Sequence, residues 1–287
     1  MMAVRNELLN EGRVVPMTKL CAWVGLPRAT AYYQPRQRRA RSVDRVIEFL
    51  VYEVIQEFPA FGIRRVWAYL RFRLKVLVNR KKIARIMRRN GWTMRPRKLG
   101  GRPRAKGSRS ITERPNQRWA TDIALVFCGA KEGWCSFVPV LDCCTRQALG
   151  WELAPTAKAK TAERALEMAL LGRFGTTRGA PAGLTVRHDN GLVFGSRLYR
   201  GRAKDYGLQQ EFITPYTPEQ NGLAERFIRS FKEECAWQHN FESMEDARRA
   251  IAAWIAWYNG KRPHQALKYR TPDEVAEDFR SANVVAA

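Results

Sequence analysis

Three acidic residues in the second half of this 287-residue chain have the type and position to do chemistry. Asp122 lies inside the apolar run RWATDIALVFCG, Asp189 ends the run GLTVRHD directly before an Asn-Gly pair, and Glu225 lies in PEQNGLAERF. A carboxylate within an apolar strand costs several kcal/mol if it has no partner. Asp122 therefore needs a hydrogen-bond donor, a cation or a metal ion, and Asp189 and Glu225 are candidates for the same site.

Each acid also has an ordinary structural explanation. Asn-Gly is a common turn pair, so Asp189 could be a turn residue, and Glu225 could form an i,i+4 salt bridge with Arg229. Gly222 argues against the second explanation, because glycine costs about 1 kcal/mol in a helix relative to alanine and leaves room for a substrate backbone. Asp142 ends a strand where an acid commonly begins a turn, and we interpret it as structural.

The elements around these acids predict an α/β fold. Three apolar runs of strand length, RWATDIALVFCG, GWCSFVPVLDCC and ALGWELAP, are separated by polar or glycine breaks and predict an antiparallel meander. A helix over residues 160–172, a strand ending at Asp189, a helical SRLYRGRAKDY and a strand LQQEFIT follow, before long helices. This order predicts a mixed five-stranded sheet flanked by helices, which we assign to residues 118–280.

The helix that carries Glu225 has a well-specified start. Thr217 and Gln220 fit a capping box, and Pro218 suits the first helical turn. Apolar residues recur at helical spacing along one face of this segment. The polar residues that project from another face, and that we expect to contact DNA, are Asn221, Arg229 and Lys232.

The charge distribution separates a basic front from a nearly neutral back. Residues 1–118 contain 29 Lys and Arg against 7 Asp and Glu, residues 119–287 contain 22 against 20, and the formal net charge is +24. Such a field attracts polyanions, so DNA is the expected partner and an anionic membrane is the alternative. No run approaches the ~18 apolar residues of a membrane-spanning helix, and the N-terminus has no apolar signal region, so we expect a cytoplasmic protein.

Cysteine and histidine usage gives no sign of a zinc site. None of the six cysteines forms a C-x-x-C pair, and the chain has three histidines. We therefore expect buried, reduced thiols and a mechanism without a cluster of histidine ligands.

The basic front divides into a segment over residues 1–40 and a helical DNA-binding domain over residues 41–94. In the first, PMTKLCAWVGLPRATAYY has helix-turn-helix spacing with a glycine in the turn. In the second, NRKKIARIMRRNGW predicts a helix that begins at Asn79 and ends at Asn90 and Gly91. Its cations repel one another unless phosphate binds, which favours DNA contact over a solvated cationic face. The expected contacts are Arg80, Lys81, Lys82, Arg85, Arg88 and Arg89.

A basic linker over residues 95–117 joins the two halves. RPRKLGGRPRAKGSRS contains seven basic residues, no acids, and Pro, Gly and Ser throughout, so it cannot bury enough apolar surface to fold. Such a segment can follow a phosphate backbone or enter a minor groove. The linker residues that we expect to contact DNA are Arg95, Arg97, Lys98, Arg102 and Arg104.

WATDIA, HDNG and PEQNGLAERF, with 35 residues between Asp189 and Glu225, resemble the Asp-Asp-Glu signature of bacterial insertion-sequence transposases with a retroviral-integrase-like core. FGIRRVWAYL, LDCCTRQALGW and WYNGKRPHQALKYRTPDE extend the resemblance over nearly the whole chain. It implies a ribonuclease-H-like fold in which Asp122, Asp189 and Glu225 bind two Mg²⁺ ions, with Asp122 bridging them and Mn²⁺ able to substitute. The His-His-Cys-Cys zinc motif of retroviral integrases is not found in this sequence, and the basic helical front stands in its place.

The resemblance also implies an activity and partners. The chain would be the second-frame, catalytic product, which cuts DNA at the element ends and transfers the 3′-OH into target DNA. The implied partners are duplex DNA with terminal inverted repeats, target DNA, further copies of the chain, and an upstream-frame protein or frameshift fusion, in a nucleoid-associated setting. Two alternatives stay open: a DNA-binding regulator with an inactive core, and a structure-specific nuclease on the same fold that hydrolyses without strand transfer.

Overall fold

The computed structural model describes residues 1–33, 42–93, 112–214 and 217–285. Its contacts divide the chain into two units, Met1–Val43 and Asp44–Ala287. The helices of the first unit are α1 Met2–Asn10, α2 Met17–Val24 and α3 Arg28–Ala31. Three residues of α2, Met17, Leu20 and Cys21, form the buried core of this unit.

The turn between α2 and α3 has the spacing predicted for a helix-turn-helix. Gly25 follows α2 in the left-handed conformation, with φ at 64°, and the amide of Leu26 donates to the carbonyl of Cys21 across the helix end. α3 starts directly after Pro27 but contains only four residues. The two helices and the glycine turn of the predicted motif are therefore present, but the second helix has only a single turn.

The second unit begins with a group of helices whose boundaries follow local capping. These are α4 Arg45–Glu57, α5 Ile63–Ala68, which continues into a π turn at Tyr69–Arg73, and α6 Arg80–Arg89. Asp44 caps α4 by accepting from the Ile47 amide at 3.2 Å, and Asn79 caps α6 by accepting from the Lys81 amide at 2.8 Å. α6 ends at Asn90, so both predicted boundaries of this helix are confirmed.

A mixed sheet forms the centre of the second unit. Its strands are β1 Arg118–Thr121, β2 Ala124–Phe127, β3 Trp134–Asp142, β4 Ala148–Ala154, β5 Thr185–His188 and β6 Gln209–Phe212. β1 and β2 pair with β3 in one continuous antiparallel register, so they are a single strand interrupted at residues 122–123. β4 pairs with the other edge of β3, and β5 and β6 follow β1 in parallel. Six segments thus fill five positions in the order β4, β3, β1/β2, β5, β6, which confirms the predicted five-stranded mixed sheet.

Helices cover both faces of this sheet. They are α7 Ala159–Phe174, α8 Leu192–Gly195, α9 Arg197–Asp205, α10 Gly222–Phe231, which continues into a π turn at Lys232–Ala236, α11 Met244–Gly260 and α12 Pro272–Val285. On one face Trp119 and Val186 pack with α7 and α9, and on the other Ala120 packs with Phe227 of α10 and Trp254 of α11. Adjacent residues of β1 therefore enter opposite layers, as strand alternation requires.

The segments that follow α4 and α5 pack directly on the C-terminal helices of the sheet domain. The ring of Phe58 stacks on Trp257 with 4.9 Å between ring centroids. Arg73, in the π turn after α5, donates to both carboxylate oxygens of Glu274 at 2.8 and 3.1 Å. A planar bidentate pair and a stacked aromatic pair fix relative orientation, so these helices and the sheet form one unit.

All six cysteines carry free thiols, and Cys21, Cys128, Cys135 and Cys235 are buried. This agrees with the reduced, structural thiols expected from the sequence. As to membranes, no helix in the described ranges is long and apolar enough to cross a bilayer.

Candidate active site

Asp122 lies at the interruption between β1 and β2 and is half-buried. Its Oδ1 accepts a hydrogen bond from the backbone amide of Ile123 at 2.8 Å. The pKa of Asp122 is raised to about 6, chiefly by burial and also by the negative charges of Asp189 and Glu225. The three acids therefore lie within electrostatic reach of one another, although they are far apart in the sequence.

Asp189 directly follows β5, and the next residues hold its side chain in place. Its Oδ1 accepts a hydrogen bond from the amide of Gly191 at 3.0 Å. Gly191 has an ordinary φ of −62°, so the turn does not need a glycine for its backbone angle. A Cβ at this position would instead lie 2.9 Å from the carboxylate oxygen of Asp189. The glycine after Asn190 is thus required for space, and the turn does orient Asp189.

His188 is a buried neutral residue that supports the neighbouring acid. Its Nδ1 lies 2.8 Å from the backbone oxygen of Asp189, and its Nε2 lies 3.0 Å from the side-chain amide nitrogen of Gln210. A carbonyl oxygen only accepts and an amide NH₂ only donates, so Nδ1 carries the proton. The ring also stacks on Phe194 and meets Phe212 edge-on. Burial lowers the pKa of His188, which keeps the ring neutral and fixes the end of β5.

The start of α10 differs from the prediction. A 3₁₀ turn, Pro218–Asn221, precedes α10 at Gly222. The Gln220 side chain accepts from the Thr214 amide at 2.8 Å and donates to the Thr214 hydroxyl at 3.1 Å. The predicted capping box between Thr217 and Gln220 is therefore wrong, because the Gln220 amide is used to hold the loop after β6.

Asn221 connects α10 to the strand that carries Asp122. Its side chain is 3% exposed, and its Nδ2 donates to the carbonyl of Thr121 at 3.2 Å. Asn221 was predicted to contact DNA, but in the structure it is buried and its amide is bonded to β1. Its role is to set the position of α10 relative to Asp122.

Arg187 makes the matching connection from β5. Its guanidinium donates to the carbonyl of Gln220 at 2.9 Å and to Glu211 at 2.5 Å, and Glu211 also accepts from Arg118 at 2.6 Å. Arg187 is 7% exposed. Arg187 is not among the site residues predicted from the sequence, although it lies two positions before Asp189 on the same strand.

The three acids share one face of the sheet. Ala120 packs in the core on the α10 side, whereas Val186 packs in the core on the α7 side. Because side chains alternate along a strand, the positions of Asp122 and Asp189 belong to the α10 side. Glu225 lies on α10 itself and is exposed.

No group of three or more His, Cys, Asp or Glu side chains within the described residues is arranged to hold a metal ion in this conformation. Asp122 and Asp189 are each oriented by a backbone amide, whereas Glu225 projects from an exposed position on α10. The three acids are therefore close enough for Asp189 and Glu225 to raise the pKa of Asp122, but they do not form a metal site in this conformation.

Asp142, the last residue of β3, is a separate acid and is fully buried. Its Oδ1 accepts from the amides of Cys144 and Thr145, each at 2.8 Å, and its Oδ2 accepts from the amide of Asn116 at 2.7 Å. Three backbone donors account for this carboxylate, so the structural interpretation is confirmed.

The six cations of α6 do not form one surface. A groove beside α10 is lined by Arg80, Lys81 and Arg88. Lys82 instead forms an ion pair with Asp44 at 2.5 Å, while Arg85 and Arg89 do not line that groove. Repulsion among these cations is therefore offset at Lys82, whose acidic partner is the residue that caps α4.

The remaining predicted DNA contacts lie on α10, in the π turn after it, or in the linker. Lys232 lies near Asp122, whose pKa its charge lowers, and Arg229 donates to Glu233 at 3.0 Å. The predicted linker contacts Arg95, Arg97, Lys98, Arg102 and Arg104 lie outside the described residues.

Comparison with known proteins agrees with this arrangement. Models described as Integrase core domain match residues 112–218 and 206–272, and a model described as HTH-like domain matches residues 43–98. The catalytic core domain of BIV integrase is 19% identical, with a TM-score of 0.44, and covers 59% of this chain and 99% of that one. The HTLV-2 integrase catalytic core domain in complex with magnesium is 16% identical, with a TM-score of 0.42, and covers 56% and 95%.

Two relatives from Escherichia coli are similar over most of their length. The transposases InsD for insertion elements IS2A/D/F/H/I/K and IS2-9 are each 31% identical to this chain over 245 residues. The alignment covers 83% of this chain, 80% of the first relative and 79% of the second. The mixed sheet with helices on both faces and the matched integrase core bear out the predicted ribonuclease-H-like fold. The chain therefore belongs to the family of insertion-element transposases that includes InsD of IS2, and it is a DNA transposase with an integrase core.

Proposed function

We propose that this transposase cuts DNA at the ends of its element and joins the released 3′-OH to target DNA, with Asp122, Asp189 and Glu225 as the ligands of two Mg²⁺ ions. The observation that carries the proposal is the raised pKa of Asp122, to which both other acids contribute. A cluster of negative charge at the end of two strands favours bound cations.

The donor set fits a hard divalent cation. Asp122 and Asp189 each use Oδ1 to accept a backbone amide. Among the described residues, the Oδ2 of neither accepts a hydrogen bond, so one oxygen of each remains for a ligand. Mg²⁺ prefers carboxylate oxygens, and Mn²⁺ accepts the same donors. Glu225 is exposed on α10, and we propose that it completes the metal site by a change of rotamer.

Two reactions follow at this site. Water attacks the phosphorus at the element end, the bond from phosphorus to O3′ breaks, and the departing oxygen takes a proton to become the 3′-OH. That 3′-OH then attacks a target phosphodiester in the same way. Bound divalent cations would supply the positive charge that activates the attacking oxygen and neutralises the phosphate. Lys232 adds a further positive charge near Asp122.

The number of DNA ends in the reaction determines how many copies of the chain must act together. An element has two ends, and both must meet one target, so we propose that more than one copy of the chain acts on DNA bearing the terminal inverted repeats. The upstream-frame protein, or a fusion with it, is the further partner that we propose on the basis of the family.

The direct test uses duplex DNA carrying the element ends, a target plasmid and Mg²⁺. We expect a nick that leaves a 3′-OH at the element end, followed by covalent joining to the plasmid, both detected on denaturing gels. Binding without cleavage, by the chain alone and with the upstream-frame protein, would instead indicate a regulator. Cleavage of branched or arbitrary DNA without joining would indicate a nuclease.

Gly191→Ala should reduce cleavage with little effect on folding. The new Cβ would lie 2.9 Å from Asp189 Oδ1, while the φ of −62° suits alanine. Because the Asp189 carboxylate must then move by up to about 1 Å, we expect the cleavage rate to fall on the order of 10²-fold. Gly195→Ala is the matched control, since a Cβ there meets nothing within 4 Å. Equal rates for both variants would show that Asp189 need not stay where the turn holds it.

A further inference from the structure

A large groove lies between α5 and α6 on one side and α10 with residues 258–269 on the other. Its volume is about 1720 Å³, which exceeds the roughly 300–1,000 Å³ of small-molecule sites. Nine of its lining residues are Lys or Arg and two are Glu. A groove of this size and charge fits a polyanion better than a small ligand.

The groove lies on the face of the sheet that carries the proposed metal ligands, although none of the three acids lines it. Ala120 of β1 and Arg187 of β5 both line it, and each precedes an acid, Asp122 or Asp189, by two positions. Residues two apart on a strand face the same way. Gly222 at the start of α10 also lines the groove. Its inner end is therefore two residues along β1 and β5 from Asp122 and Asp189, on the same face of the sheet.

A buried ion cluster fixes the two walls relative to each other. Glu234, in the π turn after α10, accepts from Arg262 at 2.7 and 2.8 Å and pairs with Arg65 of α5. The Glu234 side chain is 4% exposed and that of Arg262 is 7% exposed. Charges buried this deeply are held in one geometry, because separating them leaves an uncompensated charge. The groove is thus a built feature of a single chain.

Exposed cations from both walls enter the groove. Arg64 comes from α5 and Arg226 from α10, and both are exposed. Burial lowers the pKa of Arg65, and the nearby charges of Arg262 and Arg226 lower it further. The fold therefore holds like charges close together, an arrangement that a bound polyanion stabilises.

We propose that this groove holds the sugar-phosphate backbone of the DNA segment that is cut, so that α5 and α6 form one wall of the catalytic groove in the same chain. Arg64 and Arg226 then contact phosphates, as does Arg146, which lies between β3 and β4 and also lines the groove. None of the three is among the individual DNA contacts predicted from the sequence. The inference rests on the proposed function, because it assumes that the acids near the inner end act on DNA.

The test compares two double variants that remove equal charge. Arg64→Gln/Arg226→Gln removes one exposed cation from each wall. Arg71→Gln/Arg200→Gln removes one exposed cation from each half of the same unit but outside the groove. Binding of a short fluorescent duplex is measured in EDTA over a series of salt concentrations, so that the result is independent of metal and of cleavage.

The groove variant should bind at least about tenfold more weakly at moderate salt, and the slope of log K against log salt should become shallower by about 2, since each phosphate contact contributes about 0.9. The control variant should keep its slope within about 0.5. Arg64→Lys/Arg226→Lys should restore binding, and thermal melting checks that all variants fold. Equal losses in both Gln variants, or no loss in either, would overturn the proposal. A wild-type chain that binds through the groove but never cleaves with metal would refute the proposed function alone.

Discussion

Asp189→Asn abolishes DNA cleavage and strand transfer while folding and DNA binding persist; this is the result that we expect for a metal ligand. The asparagine oxygen can still accept the Gly191 amide that now binds Asp189 Oδ1 at 3.0 Å. Only the negative charge is lost. Because a metal stabilises transition-state charge by several kcal/mol, the cleavage rate should fall at least about 10³-fold.

Two measurements accompany this variant. Mg²⁺ should raise the melting temperature of the wild-type chain, since a ligand that binds only the folded state stabilises it, and should not raise that of Asp189→Asn. Asp205→Asn is the control, because Asp205 lies on α9 and its side chain is 60% exposed. A variant at position 189 that still cleaves, or that unfolds, would support a purely structural turn residue.

Glu234→Ala should destabilise the chain by about 3–5 kcal/mol, because it leaves the two arginines of the buried ion cluster between the groove walls without the acid that both pair with. Arg65 and Arg262 both pair with Glu234, and the side chain of Arg262 is 7% exposed. Urea denaturation followed by tryptophan fluorescence gives the free energy of unfolding.

Glu277→Ala is the matched control for that variant. Glu277 pairs with Arg280 at 3.0 Å, but both side chains are more than 60% exposed. An exposed pair of this kind contributes about 0–1 kcal/mol. Should Glu234→Ala cost no more than Glu277→Ala, the two walls of the groove would be held by other contacts.

Local patterns predicted most of the fold. The strand runs and the Asn79 start of α6 depend on residues close in the sequence, and the structure confirms both. The interruption at residues 122–123 was not predicted, since both sides of it read as one apolar run. The start of α10 was placed too early, because Gln220 bonds Thr214 across a loop that has no periodic signal.

The acids of the candidate site were found from the sequence, whereas the residues that position them were not. Asp122 stands out because it is a charge inside an apolar run, and Asp189 because it ends a strand directly before an Asn-Gly pair. Asn221 and Lys82 were assigned to DNA because their partners, Thr121 and Asp44, are distant in the sequence. Contacts of this kind arise only when the chain folds, so composition and spacing do not report them.

The π turn at Lys232–Ala236 has a consequence for how this region tolerates insertions and deletions. A π turn holds one residue more than the α-helical turn that it replaces, and Glu234 and the buried Cys235 lie within this one. Losing a single residue between Glu225 and Glu234 would move the Glu234 carboxylate around the helix axis by up to about 100°, away from Arg65 and Arg262. Natural relatives should therefore conserve the number of residues between Glu225 and Glu234 more strictly than their identity.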